Sequence, residues 1–190
     1  MKPALIVGDV QNDFCPGGAL AVKDGDQIVP VVNQLIPLFD IVYYIRDWHP
    51  QNHISFSENP QFVDKSWPVH CVANTRGADF HADLDFTLNA IVIDKGTDPN
   101  KEAYSAFQDT NLAQSLHKLG VDTVFSTGLA TDYCVKATVL DALKEGFRVY
   151  LVKDACRGVD NPSGTVENAL QEMAEAGANI IESKEVKSLL

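Results

Sequence analysis

With 190 residues, 45% of them hydrophobic, the chain has the length of one domain and can bury a full core. Its 26 acidic and 15 basic residues give a formal charge of −11, which argues against nucleic acid or an anionic membrane as partner, because both repel such a surface. No apolar run reaches bilayer length, and residues 1–7 give way to Gly8 and Asp9 too soon to form a signal peptide, so a cytoplasmic protein is expected. The four cysteines, at positions 15, 71, 134 and 156, contain no Cys-x-x-Cys pair, so each is expected as a core residue or a reactive thiol.

Residues 4–10 read as a first buried strand, with the Asp9 carboxylate at its carboxyl edge. Residues 11–19 form a loop by their Pro and Gly content. Helical periodicity follows through Ile28, Val31, Val32, Leu35, Ile36 and Leu38, and Pro30 suits the first turn. Residues 41–45 are the second strand. A long polar stretch, residues 46–88, shows no strong period, and a loop of that length in a compact domain is usually functional. The third strand, residues 90–93, runs straight into Asp94-Lys95-Gly96. A helix over 111–119 ends at Gly120, and 121–127 is the fourth strand. Thr131 or Asp132 then caps a helix that starts at Tyr133 and stops at Gly146, which places Cys134 in its first turn. A strand at 148–152, a helix over 163–176 closed by Gly177, and a last strand from 179 to 182 complete the chain. This alternation predicts a single α/β domain over 1–190, three-layered, with a central, mostly parallel six-stranded sheet between helices.

Three strand ends carry reactive side chains: Asp9, Lys95 and Cys134. In a parallel sheet those ends lie on one side, where open α/β sheets bind ligands. A thiol needs a neighbour to take its proton and a cation to favour its thiolate, and Asp9 and Lys95 supply both. Alone, Cys134 reads equally as a buried packing residue, and Asp9 and Lys95 as a structural ion pair. A second group lies in the long loop. Asp47 and His49 are two apart in an extended segment and so point to one side. With His70 they make an open site of the kind borderline divalent ions use, the alternative being hydrogen-bonded loop histidines. His53 is a further ligand or a supporting residue. Phe14, Trp67 and Tyr104 fall near both groups and are placed to sandwich a flat ring.

Together, Asp9-Val-Gln-Asn-Asp-Phe-Cys-Pro-Gly-Gly-Ala-Leu, Arg46-Asp-Trp-His-Pro, Trp67-Pro-Val-His-Cys-Val, Lys95-Gly, Glu102-Ala-Tyr-Ser-Ala-Phe and Gly128-Leu-Ala-Thr-Asp-Tyr-Cys-Val resemble the nicotinamidase/pyrazinamidase family of isochorismatase-like hydrolases. The resemblance runs from Asp9 to about residue 158. It implies a cysteine amidohydrolase that converts nicotinamide to nicotinate and ammonia, and pyrazinamide likewise, in salvage of NAD. It implies Asp9, Lys95 and Cys134 as the triad. Asp47, His49 and His70 would hold one divalent ion, either zinc, iron or manganese. It also implies a cis peptide between Leu129 and Ala130 that aims the Ala130 N–H, with that of Cys134, at an oxyanion. A related hydrolase of carbamoyl or ureido amides and a metal-dependent binding protein without turnover are the rival readings. The expected partner is the small molecule nicotinamide, with no nucleic acid and no membrane; monomer and homo-oligomer are both open.

Overall fold

The computed structural model describes residues 1–62 and 64–190. Its centre is a sheet of six strands, β1 (Pro3–Gly8), β2 (Val42–Asp47), β3 (Ile91–Lys95), β4 (Thr123–Leu129), β5 (Arg148–Arg157) and β6 (Asn179–Ile181). Every pairing is parallel, in the order β3-β2-β1-β4-β5-β6. The central strands are buried on both faces, β4 along its whole length. That is why their sequences are continuous apolar or β-branched runs rather than alternating ones.

Helices cover both faces. Against one face lie α1 (Val29–Leu35) and α5 (Ser183–Leu189), which bury Val29, Val32 and Val186 onto Leu5, Val7 and Phe125. Against the other lie α2 (Leu112–Lys118), α3 (Lys136–Lys144) and α4 (Thr165–Glu175), which bury Leu116, Val139 and Met173 onto Ile6, Val124 and Val149. The expected three-layer architecture is therefore present. Among the described residues no helix is long and apolar enough to cross a membrane.

The strand order reverses between β1 and β4, which places the crevice of a doubly wound sheet directly beyond Gly8 and Leu129. Two expectations need amendment. α5 has too few apolar residues to show a period, only Val186 being buried, and it is started by a capping box between Glu182 and Glu185. β5 also runs on past 152 to Arg157, because its pairing with β4 shifts register between Ser126 and Gly128.

Gly128 sits at that irregularity with φ of 119°, and a Cβ there would run into the Gly8 backbone of the neighbouring strand. Only glycine meets both demands. Gly128→Ala is expected to destabilise the fold by about 3 kcal/mol or more, from backbone strain plus forced strand separation. Urea denaturation of the purified variant measures this; a loss below about 1 kcal/mol would show that the strands can part without consequence.

Candidate active site

The carboxyl ends of β1, β2 and β3 bring Asp9, Asp47 and Lys95 together. Asp9 is the first residue after β1, and its φ of 52° turns the chain out of the sheet. Asp47 and Lys95 are direct register partners in β2 and β3. The Lys95 ammonium is buried, with the residue 1% exposed. It donates to the Asp47 carboxylate, lies 3.2 Å from Asp9 Oδ2, and donates at 3.3 Å to the Ala103 carbonyl and at 3.4 Å to the Cys134 sulfur.

Burial alone would drive Lys95 toward its neutral form, but Asp47 and then Asp9 outweigh it and hold the ammonium charged. Burial raises Asp47 too, yet Lys95 and then His49 outweigh this and keep it well below the usual carboxylate range. Asp9 fares differently. Burial pushes its pKa up to about 6, Lys95 offsets part of that, and the Asp47 charge adds to the rise. The reason is that Lys95 makes its closest contact with Asp47 rather than with Asp9. Asp9 Oδ1 is buried with no hydrogen-bond partner, a state shared by no other buried side-chain oxygen or nitrogen among the described residues. A buried, raised carboxylate with one open acceptor is suited to receive a proton.

Cys134 follows β4. The peptide between Leu129 and Ala130 is cis, as the resemblance implied. A π-helical turn, Thr131–Val135, then leads into α3 and presents the buried Cys134 sulfur to Lys95. The expected cap by Thr131 or Asp132 is absent: the N-cap position is Ala130, with no side-chain bond. The Asp132 carboxylate accepts instead from the N–H groups of Val159 and Asp160 and from the Thr165 hydroxyl, at 2.7 to 3.0 Å. It thereby pins the segment that follows β5 over the site. Burial raises the Cys134 thiol well above its ordinary value, Lys95 only partly countering it, while Asp9 and Asp47 add to the rise. The resting group is a thiol with a proton to give.

Asp47, His49 and His70 are all buried, and one ligand-type atom from each lies within 4.8 Å of the others. Both imidazoles are fixed by main-chain carbonyls. His49 Nδ1 pairs with the Gly96 oxygen at 2.9 Å, and His70 Nδ1 with the Pro68 oxygen at 2.8 Å. An Nδ1–H bonded to a carbonyl leaves Nε2 as the lone-pair nitrogen. Burial also lowers the His70 pKa to about 4, so this ring is neutral. Two Nε2 atoms and one carboxylate, with aligned tautomers, are the donor set of an open divalent-metal site, and the residues fit such an ion. Gly96, with φ of 65°, leaves room for the His49 ring that a side chain would fill.

His53 does not join this set. Its ring lies 4.2 Å from that of His49, but Nδ1 pairs with the Ser55 hydroxyl at 2.7 Å and Nε2 with the Lys101 carbonyl at 2.9 Å. Both nitrogens are used, so His53 is a structural brace. Phe56, which the sequence did not single out, packs against His49, His53 and His70 at centroid distances of 5.4 to 5.6 Å.

Beside Cys134 a pocket opens whose walls include all three expected aromatic residues, Phe14, Trp67 and Tyr104. Tyr104 is locked in place by accepting the Trp67 indole N–H at 2.9 Å. Tyr133 and Val159 also line it. Neither is marked by sequence: Tyr133 sits within a helical pattern, and Val159 arrives only because Asp132 holds its N–H.

Comparison with known proteins gives the family to which this fold belongs. Residues 3–185 match the model of the Isochorismatase domain. The chain belongs to that family. It is 42% identical to a nicotinamidase of Acinetobacter baylyi, covering 96% of this chain and 94% of the relative. Among solved structures, a pyrazinamidase of Pyrococcus horikoshii in complex with zinc superposes with a TM-score of 0.86 at 47% identity, covering 96% of this chain and 99% of the other. A protein from L. infantum in complex with nicotinate superposes with a TM-score of 0.86 at 36% identity, over 96% and 93%.

The bracing role of His53 has a measurable consequence. His53→Ala removes two buried hydrogen bonds and should lower stability by about 2 kcal/mol in urea denaturation. Unchanged stability would show that the loop does not depend on this ring.

Proposed function

We propose that this protein is a nicotinamidase that hydrolyses nicotinamide, and pyrazinamide likewise, through a thioester on Cys134. The relatives named above support the substrate class. The observation that carries the chemistry is a buried thiol touching a buried ammonium, beside a carboxylate with an open acceptor oxygen and a raised pKa.

In this reading the flat ring enters between Phe14 and Trp67, with its carboxamide over Cys134. The Cys134 proton passes to Asp9 as sulfur attacks the amide carbon, and Lys95 balances the negative charge. The N–H groups of Ala130 and Cys134 receive the oxyanion. As the C–N bond breaks, Asp9 returns the proton to the leaving nitrogen and ammonia departs. Water then enters, Asp9 takes its proton, and the hydroxide attacks the thioester carbon. Collapse releases nicotinate and the sulfur, which regains its proton from Asp9. Asp47, His49 and His70 would hold one divalent ion, zinc, iron or manganese, and that ion supplies Lewis acidity and a coordination position for a ring nitrogen. The protein would act in the cytoplasm, where its four free thiols stay reduced, in salvage of the pyridine ring of NAD.

Ammonia release from nicotinamide, measured with and without chelator, tests the proposal. Cys134→Ala should fold normally and lose activity by at least about a thousandfold, since no other group forms the acyl intermediate. Comparable hydrolysis by wild type and Cys134→Ala would end the thioester reading.

The acid limb follows from Asp9. Its pKa is raised to about 6, so the carboxylate that accepts the thiol proton is present above that pH and lost below it. The expected kcat/KM is flat near neutrality and falls about tenfold per pH unit below the limb. A profile still flat at about pH 5 would show that Asp9 is not the base.

A further inference from the structure

Three consecutive side chains after β1 grip the end of β2, which carries Asp47, and the loop that carries His70. Gln11 is wholly buried, at 0% exposure. Its side-chain oxygen accepts the Asp47 N–H at 2.8 Å, and its amide nitrogen donates to the Asp47 carbonyl and to the Ala78 carbonyl, each at 2.8 Å. One amide thus reads the Asp47 peptide from both sides and ties it to the far end of the loop. Asn12 donates to the Arg76 carbonyl at 2.7 Å. Asp13 Oδ2 accepts the Cys71 N–H at 2.7 Å, and its other oxygen accepts the Ala19 N–H at 3.2 Å. Cys71 follows His70 directly and has a φ of 45°, a left-handed conformation that a cysteine holds only when its surroundings impose it.

The Asp47 and His70 segments are otherwise joined through the main chain of His49, whose N–H donates to the Cys71 carbonyl at 2.9 Å. Nothing in the regular sheet sets how far His70 stands from Asp47, because His70 lies in irregular chain. We propose that Gln11 and Asp13 are positioning residues for the metal site. Gln11 fixes the main chain of Asp47, Asp13 fixes that of His70–Cys71, and together they set the separation of the donor atoms and so the affinity for the ion. Neither touches the ion or the substrate. The inference rests on the metal reading above.

The test is zinc affinity, read by competition with a chromogenic chelator on chelator-stripped protein, with thermal unfolding of the metal-free proteins alongside. Gln11→Ala and Asp13→Ala should weaken zinc binding on the order of ten- to a hundredfold, as loss of a supporting contact does at metal sites. Gln11→Glu should be as weak as Gln11→Ala, since a carboxylate cannot donate to two carbonyls. Asp13→Asn keeps an acceptor for the Cys71 N–H and should stay within about threefold of wild type, a rescue that a purely electrostatic role would not give. Unchanged affinity in Gln11→Ala and Asp13→Ala overturns the inference, as does a metal-free melting temperature that falls while affinity stays put. Should the Gln11 variants fail to fold, the Asp13 pair decides alone: equal weakening in Asp13→Asn and Asp13→Ala overturns it. Failure of wild type itself to take up zinc, cobalt or manganese ends the metal reading and this inference with it, whereas tight and equal binding by all variants ends this inference only.

Discussion

Everything at the mouth of the sheet depends on one buried ammonium. Lys95 has no access to water that would matter, and an unpaired ion in such a place costs several kcal/mol. It is retained because Asp47 stands opposite in the β2/β3 register and Asp9 leaves β1 next door. The dependence runs the other way too. Without Lys95 two buried carboxylates would face each other with no cation of the protein between them. The same ammonium touches the Cys134 sulfur, so the cation that offsets the two carboxylates also stands where it would offset the charge of a thiolate. Sequence reasoning treats the acid–base–thiol set and the metal-type set as separate. The structure joins them through Lys95, whose closest partner belongs to the second set.

That joining makes the strand register part of the chemistry. A slip of one residue in β3 would turn Lys95 to the face that carries the exposed Val92 and Asp94, and take its ammonium away from Asp47, Asp9 and Cys134. The register is held by pairing with β2, in which Ile93 and Lys95 are buried while Val92 and Asp94 are exposed, and by the main chain beyond it, where the Trp48 N–H donates to the Lys95 carbonyl at 2.9 Å. The described residues of the long segment after β2 form no helix or strand of their own, yet they are not loosely held. The Tyr44 hydroxyl donates to the Asp85 carbonyl and accepts the Thr87 N–H, and the Asn33 side chain bridges Asp83 and Asp85. Side-chain-to-main-chain bonds from the sheet and α1 do the work that a ladder would do elsewhere.

Most of the architecture was legible because its signals are local. Buried parallel strands are apolar runs, helices stop at Gly120, Gly146 and Gly177, and each strand's last residue names what stands at the sheet edge. Lys95 ends β3, Asp9 directly follows β1, and Cys134 lies in the turn that follows β4, so all three stand beyond strand ends that the sequence marks. The rest depends on contacts between segments far apart in sequence. Asp132 looks like a helix cap because that is the local use of an aspartate before a helix; its carboxylate is taken instead by Val159, Asp160 and Thr165. His53 looks like a ligand by spacing, and only its bonds to Ser55 and Lys101 show that both nitrogens are spent. Phe56 carries no local mark at all, being an aromatic residue in a polar loop.

The charge around the pocket also bears on what can enter and leave it. Asp9 and Asp47 against Lys95 give the protein's own groups one negative charge in excess, which the divalent ion proposed at Asp47, His49 and His70 would reverse, and among the described residues no lysine or arginine lines the pocket. The remaining walls are aromatic or aliphatic. A substrate bearing a carboxylate would have to shed its hydration against those walls, which a neutral, flat amide need not do. The proposed reaction would turn that neutral amide into a carboxylate in the same place. The N–H groups proposed for the oxyanion would serve the tetrahedral state better than the planar product, so the differential binding lies with the reacting state rather than with what leaves.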